Sequence, residues 1–197
     1  MKRPVSNVLA LAVLGLLLER PMHPYEMATT LRARSKDASF KVTTGSLYDV
    51  IEALTREGWI APQGMERAGK RPERTIYAQT DRGATEFVTW LDELIRQPTK
   101  EFPRFLAAVS YLGALGPDRA AQALEERITK LSDQVDEAQE TLGQAYEQGV
   151  PRLFMIEMEY AITMTRAELD WARQTVTEIR DGALAWPSQE DISGISK

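Results

Sequence analysis

Thr43-Thr44-Gly45-Ser46-Leu47-Tyr48 crowds hydroxyl-bearing side chains into one short stretch. At the start of a helix such hydroxyls, with the free backbone N–H groups beside them, hydrogen-bond to phosphate oxygens and to base edges. A second group lies downstream: Arg67, Lys70, Arg71 and Arg74 stand against Glu66 and Glu73, with Gly64 and Gly69 nearby. Cations on a hairpin tip grip a phosphate backbone or enter a minor groove. Other chemistry is poorly provided for. His23 is the single histidine and there is no cysteine, so no thiolate nucleophile, disulfide framework or thiolate metal site exists. No carboxylate pair stands in a recognisable catalytic frame, and the chain reads as a non-enzyme without cofactor or metal. In the turn where it falls, His23 is expected to make local hydrogen bonds.

The hydroxyls need a helix to present them. Leu47, Val50, Ile51 and Leu54 recur at helical spacing, Thr44 is placed to cap the start, and Gly58 stands where a left-handed residue ends a helix. The basic tip needs a hairpin. Trp59-Ile60-Ala61-Pro62 and Thr75-Ile76-Tyr77-Ala78-Gln79 are strand-like and flank the glycines. Upstream, Ser6 is placed to cap an apolar run from Val8 to Leu18. Pro21 and Pro24 then bracket a turn, and Tyr25, Met27, Ala28 and Leu31 begin a second helix. The N-terminal region is therefore expected to be a winged helix-turn-helix of three helices and a two-stranded β-wing. Tyr25, Lys41, Thr43, Thr44, Ser46, Tyr48, Lys70, Arg71 and Arg74 are the residues expected to meet double-stranded DNA, with Tyr48 as a core residue the competing reading.

Leu14-Gly15-Leu16-Leu17, Pro21 to Met27, Gly45-Ser46-Leu47-Tyr48, Arg71-Pro72-Glu73-Arg74 and Tyr77 to Gly83 together resemble the PadR family of bacterial transcriptional regulators. Residues 100 to 186 are similar to the long helical C-terminal region of its larger subgroup, including an acidic helix after Pro117 and the stretch Leu169-Asp170-Trp171. Two positions depart from the pattern. Pro24 replaces a usual glycine, which a first helical turn tolerates. Asp49 replaces a usual proline; it suits a helix N-terminus but repels phosphate if it faces one.

Charge separates the halves. Residues 1 to 80 hold 12 Lys and Arg against 8 Asp and Glu, whereas the remainder holds 12 against 21. A basic lobe that holds DNA beside an acidic one that stays off it accommodates the overall charge of −5. Met1-Lys2-Arg3 and the apolar run after it mimic a signal peptide, but Glu19-Arg20-Pro21 replaces a cleavage site and the run is too short to span a bilayer. A cytoplasmic protein without a membrane segment is expected.

Beyond the wing, Thr80 caps a linker helix with Ala84, Phe87, Val88, Leu91, Leu94 and Ile95 on one face. Arg104 to Leu115 reads as a further helix closed by Gly116-Pro117. Leu124, Ile128, Leu131, Val135, Ala138 and Leu142 then form a heptad seam that wants a partner helix. Leu153 to Asp181 reads as the last helix, rich in Met and aromatic residues. The two long helices can pair as a hairpin, or partly with a second copy. Leu124, Ile128, Leu131, Val135 and Leu142 are taken as the dimer interface. Trp90, Phe102, Phe105, Tyr160 and Trp171 are candidate walls of an effector pocket, although helical core packing explains the Met and aromatic enrichment as well. Small aromatic or lipophilic effectors are what the resemblance implies for some members.

The expected organisation is mainly α: residues 1–83 a winged helix-turn-helix, 84–99 a linker helix, 100–186 an α-helical dimerisation and effector region, and 187–197 a tail. The expected function is a homodimeric DNA-binding regulator, a repressor in preference to an activator. The alternative is a winged-helix adaptor that binds protein without DNA.

Overall fold

The structure is a computed structural model that describes residues 4–34, 43–66 and 74–186. The chain divides into two compact units, Met1–Lys100 and Glu101–Lys197.

The first unit opens with α1, Leu9–Glu19, whose Leu9, Ala10, Val13, Leu14, Leu16 and Leu17 are all buried. Its first turn is capped by Asn7, whose Oδ1 accepts from the Leu9 N–H at 3.0 Å. Ser6 lies too far ahead of Leu9 for the capping role expected of it. Helix α2, Pro24–Ala33, has Pro24 in its first turn, and the His23 Nδ1 accepts from the Tyr25 N–H at 3.1 Å. The proline is thus accommodated, and the single histidine makes a local cap. Arg34 grips Glu19 and Arg20 grips Glu26, clamping the end of α1 to both ends of α2. These guanidinium groups hold both carboxyls below the ordinary carboxylate range.

Helix α3, Thr44–Arg56, buries Leu47, Val50, Ile51 and Leu54. Strands β1, Ile60–Glu66, and β2, Arg74–Gln79, pair antiparallel from Ile60 opposite Gln79 to Glu66 opposite Arg74, with a bulge between Pro62 and Gly64. Met22 joins this ribbon by two 3.0 Å backbone bonds with Tyr77, tying the turn before α2 to the wing. Helix α4, Asp81–Arg96, returns to the core through Phe87 and Trp90. One apolar core therefore unites α1 to α4 with Trp59 and Ile60.

The second unit begins with α5, Arg104–Val109. The helix expected to run on to Leu115 ends there, and a 3-10 turn, Leu112–Leu115, follows before Gly116 at φ +74°. Helix α6, Pro117–Glu147, and helix α7, Ile156–Arg180, form a long hairpin, with a 3-10 turn at Arg152–Phe154 before α7. Leu124 packs with Ala120, Ala121, Ala172 and Ile179 in a second core. Arg127 reaches Glu168 at 2.5 Å, and Arg180 reaches Glu125 at 3.1 Å, across the hairpin. At its turn Arg152 and the Tyr146 hydroxyl converge on Glu159, holding that carboxyl down to about 2.

Candidate nucleic-acid interface

Thr43, not Thr44, caps α3. Its Oγ1 accepts from the Ser46 N–H at 3.1 Å while the Ser46 Oγ accepts from the Thr43 N–H at 3.1 Å. This reciprocal pair needs side chains three positions apart, which Thr43 and Ser46 satisfy, and it leaves Thr44 within the first turn. Ser46 therefore holds the helix start as well as standing near its surface. Thr43 and Thr44 are exposed. Tyr48 is 49% exposed and Tyr25 66%, so neither ring is a core residue. The packing reading of Tyr48 is set aside by that exposure.

The opposite face of α3 turns away from the core. Buried Leu47, Val50, Ile51 and Leu54 define its inner stripe, and the helical period places Gly45, Asp49, Glu52 and Arg56 along the centre of the outer one. Asp49, the departure from the family pattern, is exposed there.

The junction between α3 and the wing is held tightly. Gly58 takes φ +69° to end the helix. The Thr80 hydroxyl donates to the Gly58 carbonyl at 2.7 Å and accepts from the Gly83 N–H at 3.0 Å. A Cβ at Gly83 would lie 1.9 Å from the Trp59 carbonyl oxygen, so only glycine lets the start of α4 approach β1 this closely. Gly83 was legible only as the end of a motif; the spacing Thr-x-x-Gly after a strand was its signal. The expected DNA contacts Lys41, Lys70 and Arg71, and the side chain of Arg74, lie outside the described residues, as do Arg67 and the 187–197 tail.

The expected effector walls are divided between the two units. Trp90 is buried in the first unit, edge-on to Trp59 at 6.5 Å between centroids. In the second unit Phe102 and Tyr160 are 82% and 65% exposed. Phe105 and Trp171 meet edge to face at 5.7 Å, with the Arg127 guanidinium 3.6 Å over the Phe105 ring. Arg127 is itself paired with Glu168.

The heptad seam has its partner within the chain. Leu124, Leu131 and Val135 are buried against the hairpin, and Ile128 and Leu142 are half-buried. Helix α7 of the same chain packs along α6, and Ile128 and Leu142 keep part of their surface uncovered. Exposed instead are Ile156, Tyr160, Met164 and Trp171, which fall in one stripe along α7, together with Leu153 and Phe154 before it.

Among the described residues no group of His, Cys, Asp and Glu is arranged to hold a metal, and no helix is long and apolar enough to cross a membrane.

Three short helices, the third facing outward, and a two-stranded wing define a winged-helix protein with an added helical unit. Residues 13–89 match the transcriptional regulator PadR-like family. Solved structures share the fold over nearly the whole chain. PadR of Bacillus subtilis in complex with operator DNA is 19% identical, with TM-score 0.73 over 89% of this chain and 99% of that one. The same protein in complex with p-coumaric acid gives 20%, 0.68, 88% and 99%. The Vibrio cholerae virulence activator AphA gives 18%, 0.64, 88% and 98%. Among curated proteins none matches the sequence.

Proposed function

We propose that the chain is a sequence-specific DNA-binding transcriptional regulator, acting as a homodimer in the cytoplasm and repressing a promoter by occupying it. The observation that carries this reading is α3: its capped, hydroxyl-rich start and its whole outer face are open, while its inner stripe is locked into the core. That is what a helix needs in order to enter a major groove without unfolding its own domain. Tyr48 is exposed on it and Tyr25 at the start of α2, and Arg71 and Arg74 belong to the wing by sequence. The structural likeness to a PadR seen on operator DNA supports the same reading.

Homodimerisation is supported by Ile156, Tyr160, Met164 and Trp171, exposed apolar side chains aligned on one side of α7, the kind of surface that a partner helix covers. Two copies read two half-sites about 34 Å apart. Repression needs occupancy alone, which makes it the simpler mechanism, although the fold also serves a protein described as an activator. Release by a small aromatic effector is supported by the exposed edge of the Phe105–Trp171 pair, where a planar ring can stack, and by the likeness to a PadR solved with p-coumaric acid.

The test is retardation of the promoter fragment adjoining the protein's own gene, with Tyr48→Phe and Tyr48→Ala beside the wild type. Binding by the wild type and loss in the variants at unchanged melting temperature is the expected result. Equal binding by all three removes Tyr48 from the interface.

A further inference from the structure

The centre of α3's outer face carries two residues, ahead of Arg56 at its end, that a phosphate-binding helix would avoid. Asp49 and Glu52 are both exposed there, and among the described residues neither is engaged by an ion pair or hydrogen bond. One turn earlier on the same line stands Gly45. Its backbone is ordinary right-handed helix, and a Cβ built on it meets nothing within 4 Å among the described residues. In the first turn of its helix this glycine is less favourable than alanine, by no more than about 1 kcal/mol, and makes no packing contact in return. A surface that must approach something external closely gives it a use.

A helix lying in a major groove directs its central line at the base edges and its flanks at the two phosphate backbones. The carboxylates on the central line therefore avoid the phosphates that would repel them. An ionised carboxylate only accepts hydrogen bonds. In the major groove the donors are the cytosine N4 and adenine N6 amino groups, and adenine sets its N7 acceptor beside N6, against a second carboxylate oxygen. We propose that Asp49 and Glu52, on the central line with Gly45, are specificity-determining residues that each read a cytosine amino group. This rests on the regulator reading above.

The experiment is selection from a randomised duplex pool at low salt with the full-length wild type, Asp49→Asn and Glu52→Gln, all isosteric and exposed. The wild type should select cytosine at two positions in each half-site. Each variant should turn one of these to adenine, because an amide donates to N7 while accepting from N6, with a change in cytosine-over-adenine preference on the order of tenfold. An unchanged consensus with every duplex held more tightly would overturn the proposal and leave the regulator reading standing. A wild type that retains no duplex would overturn both. Gly45→Ala should raise the melting temperature yet weaken binding to all selected sequences; undiminished affinity would mean that the central line makes no close contact.

Discussion

Ser46 closes the capping box of α3 and is also one of the hydroxyls proposed to meet DNA, so its two roles must be separated by measurement. Thr43→Ala removes the cap acceptor and should lower stability by about 1 kcal/mol in a denaturant titration. Ser46→Ala should lower it by less, while its effect on operator affinity exceeds what the lost stability explains. Gly83→Ala is a different kind of change. The new Cβ would strike the Trp59 carbonyl at 1.9 Å, a backbone atom that cannot swing aside. A loss of about 3 kcal/mol or more is expected, from α4 being pushed off β1. A melting temperature within a degree or two of wild type would show that the close approach is not required. At the hairpin turn, Glu159 sits at about 2 against an ordinary 4.5 because Arg152 and Tyr146 stabilise its charged form. A lowered folded-state pKa contributes stability above the unfolded value and loses it as pH falls through the folded one. Glu159→Gln should therefore melt earlier than wild type at neutral pH, with the gap closing between pH 4.5 and about 2.

Helix periodicity made α3 and the α6 seam legible, because buried residues recur wherever a helix packs against a core. The caps were harder. Thr44 and Ser6 each have a cap-forming side chain, but Thr43 and Asn7 stand at the correct distance from the first helical N–H groups, and a run of neighbouring polar residues does not distinguish them. The seam of Leu124, Leu131 and Val135 signalled that α6 needs an apolar partner, but heptad spacing is the same whether that partner is α7 or another chain. Gly83 and Met22 were opaque for a further reason: each acts through backbone contact with a residue distant in sequence, Trp59 and Tyr77. Alternation made the two strands of the wing legible, but β1 runs through Gly64, expected in the turn, to Glu66 opposite Arg74, and the bulge between Pro62 and Gly64 had no sequence signal. Its basic tip gives the prediction at this scale. Replacing Arg71 and Arg74 together by Ala should weaken binding to all duplexes alike and reduce the salt slope by about two units, one for each lost phosphate contact. A slope that stays the same would exclude the wing from the interface.

Charge and exposed surface divide the labour within the chain. The N-terminal portion is basic and presents α3, whereas the second unit is acidic and displays the α7 stripe. If that stripe joins two copies, Tyr160→Glu with Met164→Glu should yield a monomer in sedimentation without unfolding the hairpin, since both side chains are exposed. Affinity for a two-half-site duplex should then fall by about a hundredfold or more, because the second half-site is no longer bound at the effective concentration a tethered partner supplies. A double variant that remains dimeric would place the interface elsewhere. The central claim, that this protein holds duplex DNA through its winged helix, is tested most directly by titrating the full-length protein with promoter duplex across a series of salt concentrations. The predicted result is measurable affinity at low salt, with the logarithm of the binding constant falling linearly and steeply against the logarithm of salt as counterions are released. Absence of duplex affinity even at the lowest salt would contradict it and leave a winged-helix adaptor for protein partners.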